Sequence, residues 1–212
     1  MRFLVALFFV FIPTLACATV NARSAPFNAQ CNHHGANTDD AAAIQAAIDY
    51  AFSIGDGNII IDPPGDCRVS VPIYLDPPNN LRVNLVNPSV FSISASLSSS
   101  NGPFNSVGGT TLWADFNDRC VLWIGTGQGM AARGIAVSGP PVTPVGFRLG
   151  LPPGGVGFCV AGGNGGASRT LLENVSSNLL YGGIKVGANG NSSLGDSTTV
   201  RKCNITAATG IW

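Results

Sequence analysis

The segment Leu122-Trp123-Ile124-Gly125 returns as Phe158-Cys159-Val160-Ala161, Ile184-Lys185-Val186-Gly187 and Ile211-Trp212, at steps of 36, 26 and 27 residues. A companion series runs through Arg133-Gly134-Ile135-Ala136-Val137, Glu173-Asn174-Val175-Ser176-Ser177 and Arg201-Lys202-Cys203-Asn204-Ile205. Each unit predicts two short strands separated by Gly- and Asn-rich turns. A unit of that length cannot bury its own apolar side, so successive units must stack and share one core. A Pro- and Gly-rich insertion at 139–155 accounts for the longer first step.

Period-two alternation within the repeated strands sorts their side chains. Leu122, Phe158, Ile184 and Ile211 are expected in the core. Trp123, Cys159, Lys185 and Trp212 are then expected to face outward in one column. The same register predicts a second column, Arg133, Glu173 and Arg201, of alternating charge on one side of successive units.

Ahead of the repeat, Thr38 or Asp39 is placed to cap a helix running to about Phe52, with Asp40 beside its positive end. Ile44, Ala47, Ile48 and Ala51 form its apolar stripe, and Gly55 ends it. Asn58-Ile59-Ile60-Ile61-Asp62 reads as a buried strand closed by Pro63-Pro64-Gly65. Val69, Val71 and Ile73 alternate with Arg68, Ser70 and Pro72 as one half-buried strand, and Leu81, Val83 and Leu85 alternate again. Residues 87–110 read as a surface loop with weak strands, and no break is long enough to separate two domains.

Composition agrees with an all-β chain of short strands: 27 Gly and 14 Pro stand against only 10% charged residues. Lys plus Arg and Asp plus Glu number 11 each, scattered, which leaves no nucleic-acid footprint. Glu173 is the sole glutamate, so paired-carboxylate chemistry would rest on aspartates.

The first residues read as an export signal. Arg2 precedes the apolar run Phe3–Ile12, Pro13 breaks it, and Ala16-Cys17-Ala18 offers a cleavage site, with Val20-Asn21-Ala22 as a later one. This divides the chain into a signal at 1–18, a leader at 19–34 and one domain from 35 to 212, and implies a secreted or periplasmic location. The apolar run is too short to span a membrane. Export permits disulfides among Cys31, Cys67, Cys120, Cys159 and Cys203, with one cysteine left over and the pairing open. No two cysteines have metal-ligand spacing, so no metal or other cofactor is expected.

Gly35, Thr38-Asp39-Asp40, Ala43-Ile44-Gln45-Ala46-Ala47-Ile48 and Pro63-Pro64-Gly65 resemble the N-terminal region of pectate-lyase-superfamily proteins, and the 173–175 and 201–205 segments resemble their later strands. The resemblance spans about residues 31–212. It implies a right-handed parallel β-helix, a solenoid capped by the 38–52 helix and incomplete after Trp212. It also implies an exported polysaccharide-active protein, a polysaccharide lyase or glycoside hydrolase. The alternative is a non-catalytic β-helical glycan-binding or adhesive module, or a fragment lacking its catalytic coils. Calcium enters only through the resemblance.

Asp115 and Asp118 are candidates for an acid–base pair or for calcium ligation, against a solvated turn. Glu173 and Arg201 are further catalytic candidates, with an arginine as lyase base, against a surface charge ladder. Trp123, Lys185 and Trp212 are candidate substrate-binding residues: an indole offers a sugar an apolar face, and the ammonium attracts a uronate carboxylate. His33-His34 reads as a solvated turn. Asn174-Val175-Ser176, Asn191-Ser192-Ser193 and Asn204-Ile205-Thr206 match glycosylation acceptors.

Overall fold

The computed structural model describes residues 19–32, 38–55, 57–75, 92–95, 109–125, 127–139, 155–160, 167–187 and 198–211. After β1 (Val20–Asn21) and α1 (Ala41–Ser53), strands arrive in recurring sets. The first set is β2 (Asn58–Ile61), β3 (Asp66–Val69) and β4 (Ile73–Leu75). The second is β5 (Ser92–Ala95), β6 (Thr110–Ala114) and β7 (Cys120–Ile124). The third adds a short β8 (Gly127–Gln128) before β9 (Ala131–Arg133), β10 (Ile135–Ser138) and β11 (Val156–Val160). Then come β12 (Ala167–Ser168), β13 (Leu171–Glu173) and the long β14 (Ser176–Val186), and finally β15 (Thr199–Arg201) and β16 (Asn204–Ile211).

All pairings among these strands are parallel. First-position strands form one sheet in the order β1-β2-β5-β9-β13-β15. Second- and third-position strands form the path β3-β6-β10-β14-β11-β7-β4, with β16 beside β14, and β8 pairs with β12. The path turns within β14, where Ser176–Asn178 pairs β10 and Gly182–Val186 pairs β11. The chain is therefore predominantly β, with parallel sheets and one described helix.

The repeat register is the one read from the sequence. Leu122 pairs with Phe158, Phe158 with Ile184, and Ile184 with Ile211. Leu122, Phe158 and Ile184 are fully buried in the main core, whereas Ile211 on the last strand is 55% exposed. The corner between first and second strands repeats too. Gly134, Asn174 and Lys202 occupy equivalent positions, all with left-handed φ of 66°, 52° and 54°. That conformation turns the chain sharply enough to bury Ile135 and Val175 immediately after it. At Gly157 a side chain has no room, because a β-carbon would lie 2.5 Å from Ser177 Oγ and 2.9 Å from the Gly183 carbonyl oxygen.

Several local expectations are corrected. The companion segments are not single strands: the left-handed corner splits each one, and the complete sets hold three main strands instead of two. The 68–75 run is likewise two strands, β3 and β4, parted at Ser70-Val71, where Val71 is 51% exposed and Pro72 buried. Within 87–110, β5 is a central strand between β2 and β9, and Ile93 is fully buried. Its Ser-rich flanks hide an ordinary inward-facing isoleucine. The 81–85 run lies outside the described residues.

Helix α1 packs on β1 to β4 through Ala41, Ile44, Ala47, Ile48, Ala51 and Phe52. Each of its three large apolar side chains contributes about 1.5–3 kcal/mol by leaving water. Its N-cap residue is Asp40, not Thr38 or Asp39, and the Asp40 side chain makes no capping hydrogen bond. The Asp40 carboxylate turns away and accepts N–H bonds from Gln30 at 2.6 Å and Cys31 at 3.0 Å, while its own N–H donates to the Arg68 carbonyl at 2.8 Å. Asp39 accepts from the Ala41 and Ser70 N–H groups and from the Ser70 hydroxyl. The two acids thus tie the helix start to the preceding segment and to the β3 corner.

Part of the leader joins the same body. Val20 pairs with Ile59, and Ala22, Ala29 and Cys31 enter the core. Arg23 donates to the Pro63 carbonyl at 2.6 Å and the Gln30 carbonyl at 2.8 Å.

Candidate functional site

The strands β4, β7, β11 and β14 lie side by side and present one row, Tyr74–Trp123–Cys159–Lys185. Tyr74 and Trp123 stack with ring centroids 6.4 Å apart and planes 14° from parallel. Tyr74 is 44% exposed, and Trp123 and Lys185 are half-buried. Gln45 of α1 steadies the edge strand: its Oε1 accepts the Tyr74 N–H at 2.8 Å and its Nε2 donates to the Tyr74 carbonyl at 3.1 Å. Trp212 lies outside the described residues.

Cys159 departs from the expected open column. It is fully buried and disulfide-bonded to Cys120, forming with Val156 a small apolar cluster outside the main core. Trp123 packs on that cluster, which supports one flank of the indole. The row is therefore an aromatic pair, a buried disulfide and a cation. Tyr74 is hidden in the sequence because residues 68–75 read as one alternating strand. Aligning Ile73-Tyr74-Leu75 with Leu122-Trp123-Ile124 would have found it.

The corner between β6 and β7 borders this row. Arg119 donates to Asp118 through Nε at 2.8 Å and Nη2 at 3.0 Å, and its guanidinium lies 5.5 Å from the Phe116 ring centroid. The Arg119 hydrogen bonds hold the Asp118 carboxyl below its ordinary range. Asp115 is engaged elsewhere, by Arg68 Nε at 2.7 Å and Nη2 at 2.6 Å. The structure gives the two aspartates separate guanidinium partners, and among the described residues neither belongs to a group of three metal donors.

Glu173 pairs in register with Arg133 on one side and Arg201 on the other. Arg201 Nη2 donates to Glu173 Oε2 at 2.9 Å, and Arg133 Nε lies 3.6 Å from the same oxygen. The Arg201 bond is the main cause of a Glu173 pKa below the usual carboxylate range. A carboxyl held ionised this way is a poor proton donor near neutral pH.

Among the described residues, one group brings three potential metal donors together: Cys31, Asp40 and Cys67, within 4.8 Å of one another. Cys31 and Cys67 are joined as a disulfide, and both Asp40 oxygens already accept N–H bonds. Burial pushes the Asp40 carboxyl above its ordinary range, against the N–H bonds that pull it down. The group is a structural staple. Cys203 is the free thiol among the described residues, half-buried, its pKa raised by burial. His33 and His34 lie outside the described residues.

No described helix is long and apolar enough to cross a membrane. Compared with known protein families, curated proteins and solved structures, the chain matches none.

Proposed function

We propose that this chain is an exported, glycan-binding protein built as a right-handed parallel β-helix of the pectate-lyase-superfamily kind. The observation that carries this reading is the Tyr74–Trp123 stack in a row ending at Lys185. The stacked pair, with Tyr74 44% exposed and the indole supported behind it, offers a sugar's C–H groups an apolar contact. Lys185, two strands from Trp123, supplies a positive charge about 10 Å away at the usual strand spacing, within reach of a uronate on the next sugar. The β-helix reading is supported by parallel pairing of equivalent strands in successive sets and by α1 lying across the first set. Export is supported by the apolar N-terminal run and two disulfides. Cleavage after Ala18 preserves β1, whereas cleavage after Ala22 removes it.

Binding is favoured over hydrolysis because Asp115, Asp118 and Glu173 are each engaged by arginine. The second reading, a polysaccharide lyase or glycoside hydrolase, rests on the motif resemblance and on the exposed guanidinium of Arg201.

Affinity electrophoresis through gels containing neutral or uronate-rich polysaccharides tests the proposal. Retardation by the uronate-rich gel that is lost in Trp123→Ala is expected, and unretarded migration in every gel overturns it. Unsaturated, ultraviolet-absorbing products would assign a lyase, and new reducing ends without them a hydrolase.

A further inference from the structure

Of the two glycosylation-type motifs within the described residues, Asn204-Ile205-Thr206 is the one that the structure presents to solvent at both essential positions. Asn204 and Thr206 are exposed, while the intervening Ile205 packs partly on the core. This is the period-two geometry of a strand: positions i and i+2 share the outward face. The Asn204 N–H is satisfied by the Val175 carbonyl at 3.0 Å, so modifying the side-chain amide breaks no backbone bond.

Its position in the stack matters as much. Asn204 lies in register with Ser176, which pairs with Ala136, which in turn aligns with Thr111. Ala136 and Ser176 are 2% and 1% exposed, leaving no room for a branched sugar on the inner strands. On β16, the described residues place a partner strand on the β14 side only. The Asn174 motif is less open. Asn174 is half-buried at a left-handed corner, and the hydroxyl-bearing residue of its motif, Ser176, is buried. Asn191 lies outside the described residues.

We propose that Asn204 is an N-glycosylation site, used when the chain passes through a secretory pathway that transfers oligosaccharide from a lipid-pyrophosphate carrier. The Asn204 amide nitrogen forms the bond to the anomeric carbon of the sugar. The anomeric C–O bond to the pyrophosphate breaks, the lipid pyrophosphate leaves with that electron pair, and the amide proton passes to a base of the transferase. No oxidant or reductant is needed.

The test is translation of the full chain with endoplasmic-reticulum microsomes, followed by endoglycosidase treatment and glycopeptide mapping. A glycan on the Asn204 peptide is expected, lost in both Asn204→Gln and Thr206→Ala and retained in Asn174→Gln. Formation of the Cys31–Cys67 disulfide reports entry into the lumen independently. A second version carrying a microsome-competent signal in place of residues 1–18 removes dependence on this leader. An unmodified Asn204 peptide in translocated, disulfide-bonded chains overturns the proposal, as does a glycan found on Asn174 but not on Asn204.

Discussion

Arg201 donates to Glu173 Oε2 at 2.9 Å from the adjacent strand, placing opposite charges in register across β13 and β15. Arg133 approaches the same oxygen from β9, so one carboxylate serves two cations. The arrangement follows from parallel stacking, which puts equivalent repeat positions beside one another.

Glu173→Gln therefore alters the acid limb of stability. The folded-state pKa of Glu173 is depressed, so its contribution is present above the unfolded value and lost as pH falls through the folded value. Melting temperatures measured from neutral to acid pH should show wild type above the variant at neutral pH, with the gap closing as the carboxyl protonates. High salt should narrow it as well. A gap independent of pH would remove the ladder from the account of stability.

Trp123→Ala and Tyr74→Ala should each weaken binding of a retained polysaccharide by about tenfold, the equivalent of about 1.4 kcal/mol. Lys185→Ala should weaken only uronate-containing ligands. Titration with matched neutral and acidic oligosaccharides separates the two effects. Equal loss for both ligand types in Lys185→Ala would contradict a carboxylate partner.

Asp40→Asn should destabilise the chain by about 1–3 kcal/mol, because one of the Gln30 and Cys31 N–H groups then faces an amide NH2. Denaturant titration measures it. No change in midpoint would mean that the 30–31 segment is held by other contacts.

Removing the Cys31–Cys67 disulfide, which links positions 36 residues apart, should lower stability by about 4 kcal/mol from loop-closure entropy. The Cys31→Ser, Cys67→Ser double variant under oxidising conditions isolates this bond from Cys120–Cys159. An unchanged denaturant midpoint would show that it adds nothing beyond the core.

The repeated corner gives a paired test. Gly134→Ala should cost about 1–2 kcal/mol, since the left-handed conformation crowds a β-carbon. Lys202→Gly should be close to neutral, because relief of that crowding offsets glycine's greater unfolded-state entropy. Equal effects of the two substitutions would mean that the corner is not under backbone strain.

Much of this arrangement is legible residue by residue. The Leu122–Phe158–Ile184 and Arg133–Glu173–Arg201 alignments follow from counting along the repeat, because neighbouring parallel strands share a register. The stripe of α1 is equally local, with Ile44 and Ile48 one turn apart. The three-strand sets were harder to see. Gly134 signals a corner, but Asn174 and Lys202 hold the same backbone angle with side chains that look ordinary in a sequence. β5 was obscured by its serines, since one inward isoleucine suffices for a strand with neighbours on both sides.

The sequence by itself determined the strand-rich class, the place of the helix and the register of its repeat, because side-chain direction in a strand depends only on parity along the chain. Tertiary structure alone decided that Cys120 closes onto Cys159 beneath Trp123, that Tyr74 completes the aromatic pair, and that Asp40 serves Gln30 and Cys31 instead of capping its helix. Those contacts join segments whose approach is set by how corners turn and how the core fills, and neither is encoded in any short stretch of residues.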